Sequence, residues 1–343
     1  MRKNIDKYII NRISSHPRDI AADTAKKFGI SRQAAVNHLA KLIDNGIVVA
    51  SGKTKARRYS LRKFVNRVYR LDVSSNLAED VEWRGKIFPF MQDVPHNVVD
   101  ICQYGFTEIL RNVTDHSQSS KAAFGIRRDA ICIELFVLDL GIGIFNKIQA
   151  DFGLDDPRHA LLELAKGKLT SDPQKHTGEG IFFASRMFDE FSILSGHLFY
   201  SRENKGDDWL IEVEERNRQR GTYVTMKISP TSKRTTKRVY DRFAPDKASY
   251  GFTRTHVPIQ LARYEGEQLV SRSQARRLLA RFENFEEVLL DFKGVETIGQ
   301  AFADEIFRVY KNEYPTVEIL WVNTTPEVEN MIMRAFGSLS AHP

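Results

Sequence analysis

The chain has 343 residues, 42% of them hydrophobic and 28% charged, so it is too long for one small core and apolar enough to fold throughout as two or three domains. Its opening MRKNIDKYII lacks an apolar stretch before a small-residue cleavage site, and no later run stays apolar for a bilayer's width, which predicts a cytoplasmic protein with no membrane partner. Cys102 and Cys132 stand apart, without CxxC or Cys/His spacing, which argues against a disulfide framework or a zinc site.

The formal charge of +7 is unevenly spread. Residues 1–70 hold 17 Lys and Arg against 4 Asp and Glu, a balance of +13, which leaves −6 for the rest. One end is therefore suited to a polyanion. There, IDKYIINRI predicts a short helix, Pro17 resets the chain, and IAADTAKKFGI is helical up to the turn at Gly29. Ser31 is an expected N-cap for SRQAAVNHLAKLIDNG, whose Ala35, Leu39 and Leu42 share one face and leave Arg32, Gln33, Asn37 and Lys41 for another. Those polar side chains suit a helix that reads base edges of double-stranded DNA in the major groove. IVVASGKTKARRYSL then predicts two strands about a Gly-Lys turn, with Lys53, Lys55, Arg57 and Arg58 facing phosphates. A protein-interaction module is the other reading of such a helix pair.

VPHNVVDICQYGFTEILRNVTDH predicts one long helix on which Glu108 and Asn112 lie a turn apart, extended by Asp115 and His116. An amide oxygen there can coordinate Mg²⁺, and a carboxylate one turn away can orient water. The apolar strand before Asp139-Leu140-Gly141-Ile142-Gly143 sets a carboxylate at a strand end, where it can accept from an adenine amino group; the glycines admit a flat base. Thr177, Gly178 and Gly180 open a further helix whose N–H groups suit phosphate oxygens, and the preceding GKLTSDPQK reads as a lid.

Two resemblances follow from these motifs. Residues 4–62 resemble winged helices that read Ala-x-x-(F/L)-G-(I/V)-S-R-x-x-V-x-x-H-(L/I)-x-x-L, matched by Ala25, Phe28, Gly29, Ser31, Arg32, Val36, His38, Leu39 and Leu42. Residues 94–229 resemble the GHKL ATP-binding superfamily: Glu108 and Asn112 match its N box, Asp139, Gly141 and Gly143 its D-x-G-x-G box, Gly178 and Gly180 its later G-x-G box, and Gly221 with Thr222 its closing G-T. That resemblance implies an α/β sandwich with a mostly antiparallel sheet, ATP held with Mg²⁺ through Asn112, and Asp139 on adenine. It leaves open whether Glu108 serves hydrolysis, as in a weak ATPase, or phosphoryl transfer, as in a serine/threonine kinase. His116 falls where family members carry a group near the phosphates. Competing phosphate motifs fail: Leu162 stands where a Walker loop needs glycine, and Asn146 replaces the third glycine of a dinucleotide fingerprint.

After the basic, Ser/Thr-rich SPTSKRTTKRVYDRF, the chain alternates strand and helix: strands in IQLARYEGEQLV, a helix in SRSQARRLLARF, then EEVLLDFKGV, GQAFADEIFRVYKN, VEILWVN and PEVENMIMRAF. LLDFKGVETIGQAFADEIF resembles STAS-like domains, the partners of anti-sigma serine kinases. The departure is that Ile298-Gly299-Gln300-Ala301 offers no hydroxyl where those domains carry a phosphorylated serine; Thr297 is the nearest. The expected architecture is thus multidomain α+β, with a winged helix over 1–65, a connector over 66–93, a GHKL domain over 94–230, a linker over 231–254 and a STAS-like α/β domain over 255–343. The function it suggests is transcription regulation in which Mg-ATP controls DNA binding or assembly, as a homodimer or otherwise. The alternative is an anti-sigma-type kinase acting on a separate STAS partner. A sensor histidine kinase is disfavoured because Asn97-Val98 follows His96 and no phosphoacceptor helix pair or sensor is present.

Overall fold

The computed structural model describes residues 2–74, 77–169, 178–203, 208–214, 219–244, 252–263 and 267–337. The chain begins with three helices, α1 (Arg2–Arg12), α2 (Ile20–Phe28) and α3 (Arg32–Asp44), followed by an antiparallel pair, β1 (Val48–Ser51) and β2 (Arg58–Leu61). The turn between α2 and α3 forms because Gly29 takes the left-handed conformation at φ 62 and its N–H returns to Ala25 O. Ser31 then caps α3, its Oγ accepting from Ala34 N at 3.1 Å. Ile5, Ile9, Ile13, Ile20, Ala35 and Leu39 close a core of their own. His38 Nδ1 lies 2.6 Å from Asp6 Oδ1 and ties α3 to α1.

Next comes a seven-stranded, wholly antiparallel sheet in the order β3-β4-β5-β9-β6-β7-β8. Its strands are β3 (Val65–Asp72), β4 (Lys121–Arg128), β5 (Ile133–Asp139), β6 (Glu190–Gly196), β7 (Leu198–Glu203), β8 (Asp208–Glu212) and β9 (Gln219–Ile228). The helices of this part are α4 (Glu79–Glu82), α5 (His96–His116), α6 (Ile144–Phe152), α7 (Pro157–Lys166) and α8 (Gly180–Met187). The 21-residue α5 turns Val98, Cys102, Phe106, Ile109 and Val113 inward at helical spacing and packs against β5 and α8. The expected connector over 66–93 is corrected here: β3 is an edge strand of this sheet, and Trp83, Ile87 and Met91 are core residues. A polar alternation hid the strand, since β3 has only one face packed.

The C-terminal unit has three parallel strands in the order β10-β11-β12, namely β10 (Arg254–Pro258), β11 (Glu287–Asp291) and β12 (Glu318–Val322). Preceding it is α9 (Thr236–Phe243), and around it run α10 (Arg272–Leu279), α11 (Gln300–Asp304), α12 (Lys311–Glu313) and α13 (Pro326–Gly337). Ser271 and Gln274 form a reciprocal capping box that starts α10. Two expectations change. The linker over 231–254 contains α9, whose Phe243 stacks edge-on with Phe182 of the central unit. Strands are expected in IQLARYEGEQLV; among the described residues the strand is Arg254–Pro258, and Ile259–Ala262 is a 3-10 turn. The central and C-terminal units share one continuous hydrophobic core, distinct from that of the N-terminal helices. Among the described residues, no helix is long and apolar enough to cross a membrane.

Candidate functional site

The long helix α5 carries Glu108, Asn112 and His116 on one stripe, and all three line a cavity of about 310 Å³. Asp139, at the end of β5, reaches the same cavity with only 4% of its surface exposed. Burial lifts its carboxyl above the ordinary range, opposed by hydrogen bonds from Gly141 and Thr222. Gly141 N donates to Asp139 Oδ1 at 2.8 Å, so the first glycine of the pair serves through its backbone rather than through the cavity wall. Gly143 adopts φ 85 at the start of α6, a conformation that a side chain would strain, and lines the recess. Thr222 Oγ1 accepts from Ile144 N at 3.0 Å, fixing the start of α6 against β9.

Opposite, Gly178 and Gly180 close the cavity at the mouth of α8. Gly180 lies against Glu108: a Cβ there would stand 2.3 Å from Glu108 Oε2 and push that carboxylate aside. Thr177 lies outside the described residues, as does most of the stretch read as a lid. Ile148, Phe152, Leu164, Leu169, Ile181 and Val224 supply apolar wall. The recess therefore combines a buried acceptor, apolar walls and polar side chains along α5, a donor set suited to a flat amino-bearing ring with a polar tail.

Sequence reasoning missed several groups. Arg111 lines the cavity beside Glu108 and is held by Glu79 of α4. Lys147 and Asp151 lie on the opposite wall as an ion pair at 2.5 Å. Their i,i+4 spacing is also that of an ordinary solvated helix face, so nothing in it announces a cavity. Ser195 Oγ accepts from Ile144 N at 3.1 Å and donates to Gly221 O at 2.9 Å, a role with no motif to announce it. Among the described residues no group of three or more His, Cys, Asp or Glu is placed to hold a metal. A metal at this cavity would thus rest on the Asn112 amide, water and the bound molecule's own oxygens, which is how Mg²⁺ is commonly held.

One element joins this cavity to the C-terminal unit. Leu164 of α7 lines the recess, while Lys166, two residues on, is fully buried. Lys166 Nζ donates to Glu163 Oε1 at 2.6 Å and to Ala280 O at 2.8 Å, and burial lowers its pKa. Arg281 Nη1 donates to the second oxygen of Glu163 at 2.7 Å, and its Nη2 to Gly167 O at 2.8 Å. Thr255 Oγ1 donates to Lys166 O at 2.6 Å.

The N-terminal residues of interest lie on α3 and on the β1–β2 hairpin. Arg32, Gln33 and Asn37 are exposed on α3, with Gln33 Nε2 donating to Asn37 Oδ1 at 3.2 Å. Ser31 is exposed, but its hydroxyl is engaged as the cap. Lys53, Arg57 and Arg58 are exposed on the β1–β2 hairpin. The expected Gly-Lys turn is a longer loop containing the 3-10 turn Thr54–Ala56; the Lys55 side chain lies outside what is described. Lys41 Nζ lies 3.4 Å from Asp6 Oδ2 of α1.

Fold and site together define a mixed α+β multidomain protein with a mostly antiparallel central sheet. Its C-terminal unit is STAS-like: residues 274–329 match the family model described as a STAS-like domain of unknown function (DUF4325). No curated protein matches the chain.

Proposed function

We propose that the chain is a DNA-binding regulator whose central unit, a GHKL-type domain, binds Mg-ATP and whose N-terminal unit is a winged helix-turn-helix. The observation that carries this reading is the convergence of Glu108, Asn112, His116, Asp139, Gly143, Gly178, Gly180 and Thr222, from four separated motifs, on one cavity. In it, Asp139 accepts from the adenine amino group while Ile148 and Val224 cover the ring. Asn112 gives its amide oxygen to Mg²⁺, which when bound offsets phosphate charge. The N–H groups at the start of α8 face the phosphates, and Glu108 orients a water or an incoming hydroxyl. The exposed Arg32, Gln33 and Asn37 read base edges, and the hairpin cations hold phosphates.

In this reading a nucleotide-dependent change passes from the cavity to the STAS-like unit through α7, which touches both. The test is DNA affinity of the full chain, measured by fluorescence anisotropy with and without Mg-ATP at fixed salt. A shift of about fivefold or more, absent in Asn112→Ala, is expected for a coupled pair of sites. Equal affinity in both conditions removes the switch. One observation favours a second reading as a kinase for a separate STAS partner: α11 opens at Gly299 and Gln300 without a hydroxyl. Transfer of labelled phosphate from ATP to a serine-bearing STAS protein would select it.

A further inference from the structure

A second cavity, of about 340 Å³, lies between the central and C-terminal units and shares no lining residue with the first. Its walls bring together Arg186 of α8, Arg202 of β7, Arg234, Arg238 and Arg242 from α9 and its approach, and Lys293 just after β11. Against these six cations stand two carboxylates, Glu203 and Asp291. The second is already committed. Asp291 Oδ2 is 3.0 Å from His256 Nε2, and its Oδ1 accepts from Asn323 Nδ2 at 2.8 Å and Lys293 N at 3.0 Å.

The arginines divide in the same way. Arg234 pairs with Asp189 at 3.0 Å, and Arg186 is buried against the Phe182 ring. Arg238 and Arg242 lie one turn apart on α9, are exposed, and have no ion-pair partner among the described residues. The one acid of that helix, Asp241, is taken by Lys237 at 2.5 Å. Two guanidinium forks at this spacing present paired donors to neighbouring phosphate groups. The recess also sits outside the carboxyl ends of parallel strands β10 and β11, where open α/β sheets receive ligands, and a cleft of one charge sign concentrates its counter-ion.

We propose that this junction is a binding site for a small phosphorylated molecule carrying two adjacent phosphate groups. The ligand is held chiefly by Arg238 and Arg242, with Lys293 reaching from the other unit, so it bridges the central and STAS-like units. The volume suits a small molecule rather than a polymer, since such sites span about 300–1,000 Å³. The site is independent of the nucleotide reading of the first cavity.

The probe is inorganic pyrophosphate, titrated calorimetrically into the full chain at fixed ionic strength without magnesium. Saturable binding at one site per chain is expected. It should weaken at least about tenfold in Arg238→Gln/Arg242→Gln, weaken less in Lys293→Gln, and stay within about twofold in Asn112→Ala. Both arginines are exposed, so the double variant should keep its far-ultraviolet dichroism and melting temperature. Lys293→Gln, on a different segment, supplies the same readout if it does not. Absence of saturable binding, or a double variant and Lys293→Gln that both bind as tightly as wild type, overturns the proposal. Loss of binding in Asn112→Ala alone places the anion in the other cavity and overturns it equally.

Discussion

In the proposed function, Asp139 is the residue on which nucleotide recognition turns. Its carboxyl is held above the ordinary range chiefly by burial. The ionised form accepts through both oxygens and more strongly, whereas protonation turns one of them into a donor. A raised value means that protonation sets in at higher pH, so affinity for an adenine nucleotide should be complete near neutrality. It should then fall as pH drops through a midpoint above the ordinary carboxylate value of about 4. A pH series of binding isotherms checks this, with Asp139→Asn expected to bind about ten to a hundredfold more weakly throughout. Asp139, Gly143 and Gly180 were legible because strand ends and glycine pairs leave a mark in sequence. Lys147 and Arg111 were not, because which way they face depends on how Gly143 turns α6 and where α4 brings Glu79.

At the scale of elements, α7 is the part that its own sequence disguises. PRHALLELAK reads as an amphipathic helix with an i,i+3 charge pair on a wet face, yet Glu163 and Lys166 are both buried. What buries them comes from more than a hundred residues later, where Arg281 and the carbonyl of Ala280 complete their hydrogen bonds. No local pattern announces such a partner. Removing one member leaves buried charge uncompensated, so Glu163→Ala should cost about 3–5 kcal/mol in urea unfolding. Glu163→Leu/Lys166→Met, which removes both charges, should recover much of that loss. Beyond its first strand, the helices and strands of the C-terminal unit were legible in order and type, because apolar runs of strand length alternate with amphipathic helices. β3 was not, because only one of its faces is packed.

At the scale of the whole molecule, the described residues form two cores rather than one per motif. The N-terminal helices close their own, and the central and C-terminal units are fused through Phe182, Phe243 and Phe252. A basic, Ser/Thr-rich stretch between two motifs suggested a linker there, but Val239 and Phe243 of α9 are buried. The joint between the N-terminal unit and the sheet is lighter: Lys63 Nζ donates to Asp129 Oδ2 at 2.6 Å and Ile131 packs on the helical core. A change at the central cavity thus reaches the STAS-like unit through packed interior and α7. In the proposed reading it reaches the N-terminal unit through that lighter contact or through a second subunit. All of this depends on the cavity taking a nucleotide. The direct test is a calorimetric titration of Mg-ATP into the purified full chain, its Asn112→Ala variant and its Asp139→Asn variant. The account predicts saturable, magnesium-dependent binding at one site per chain, weakened at least about tenfold in each variant. A folded wild type that binds no ATP, or variants that bind it equally well, would contradict it.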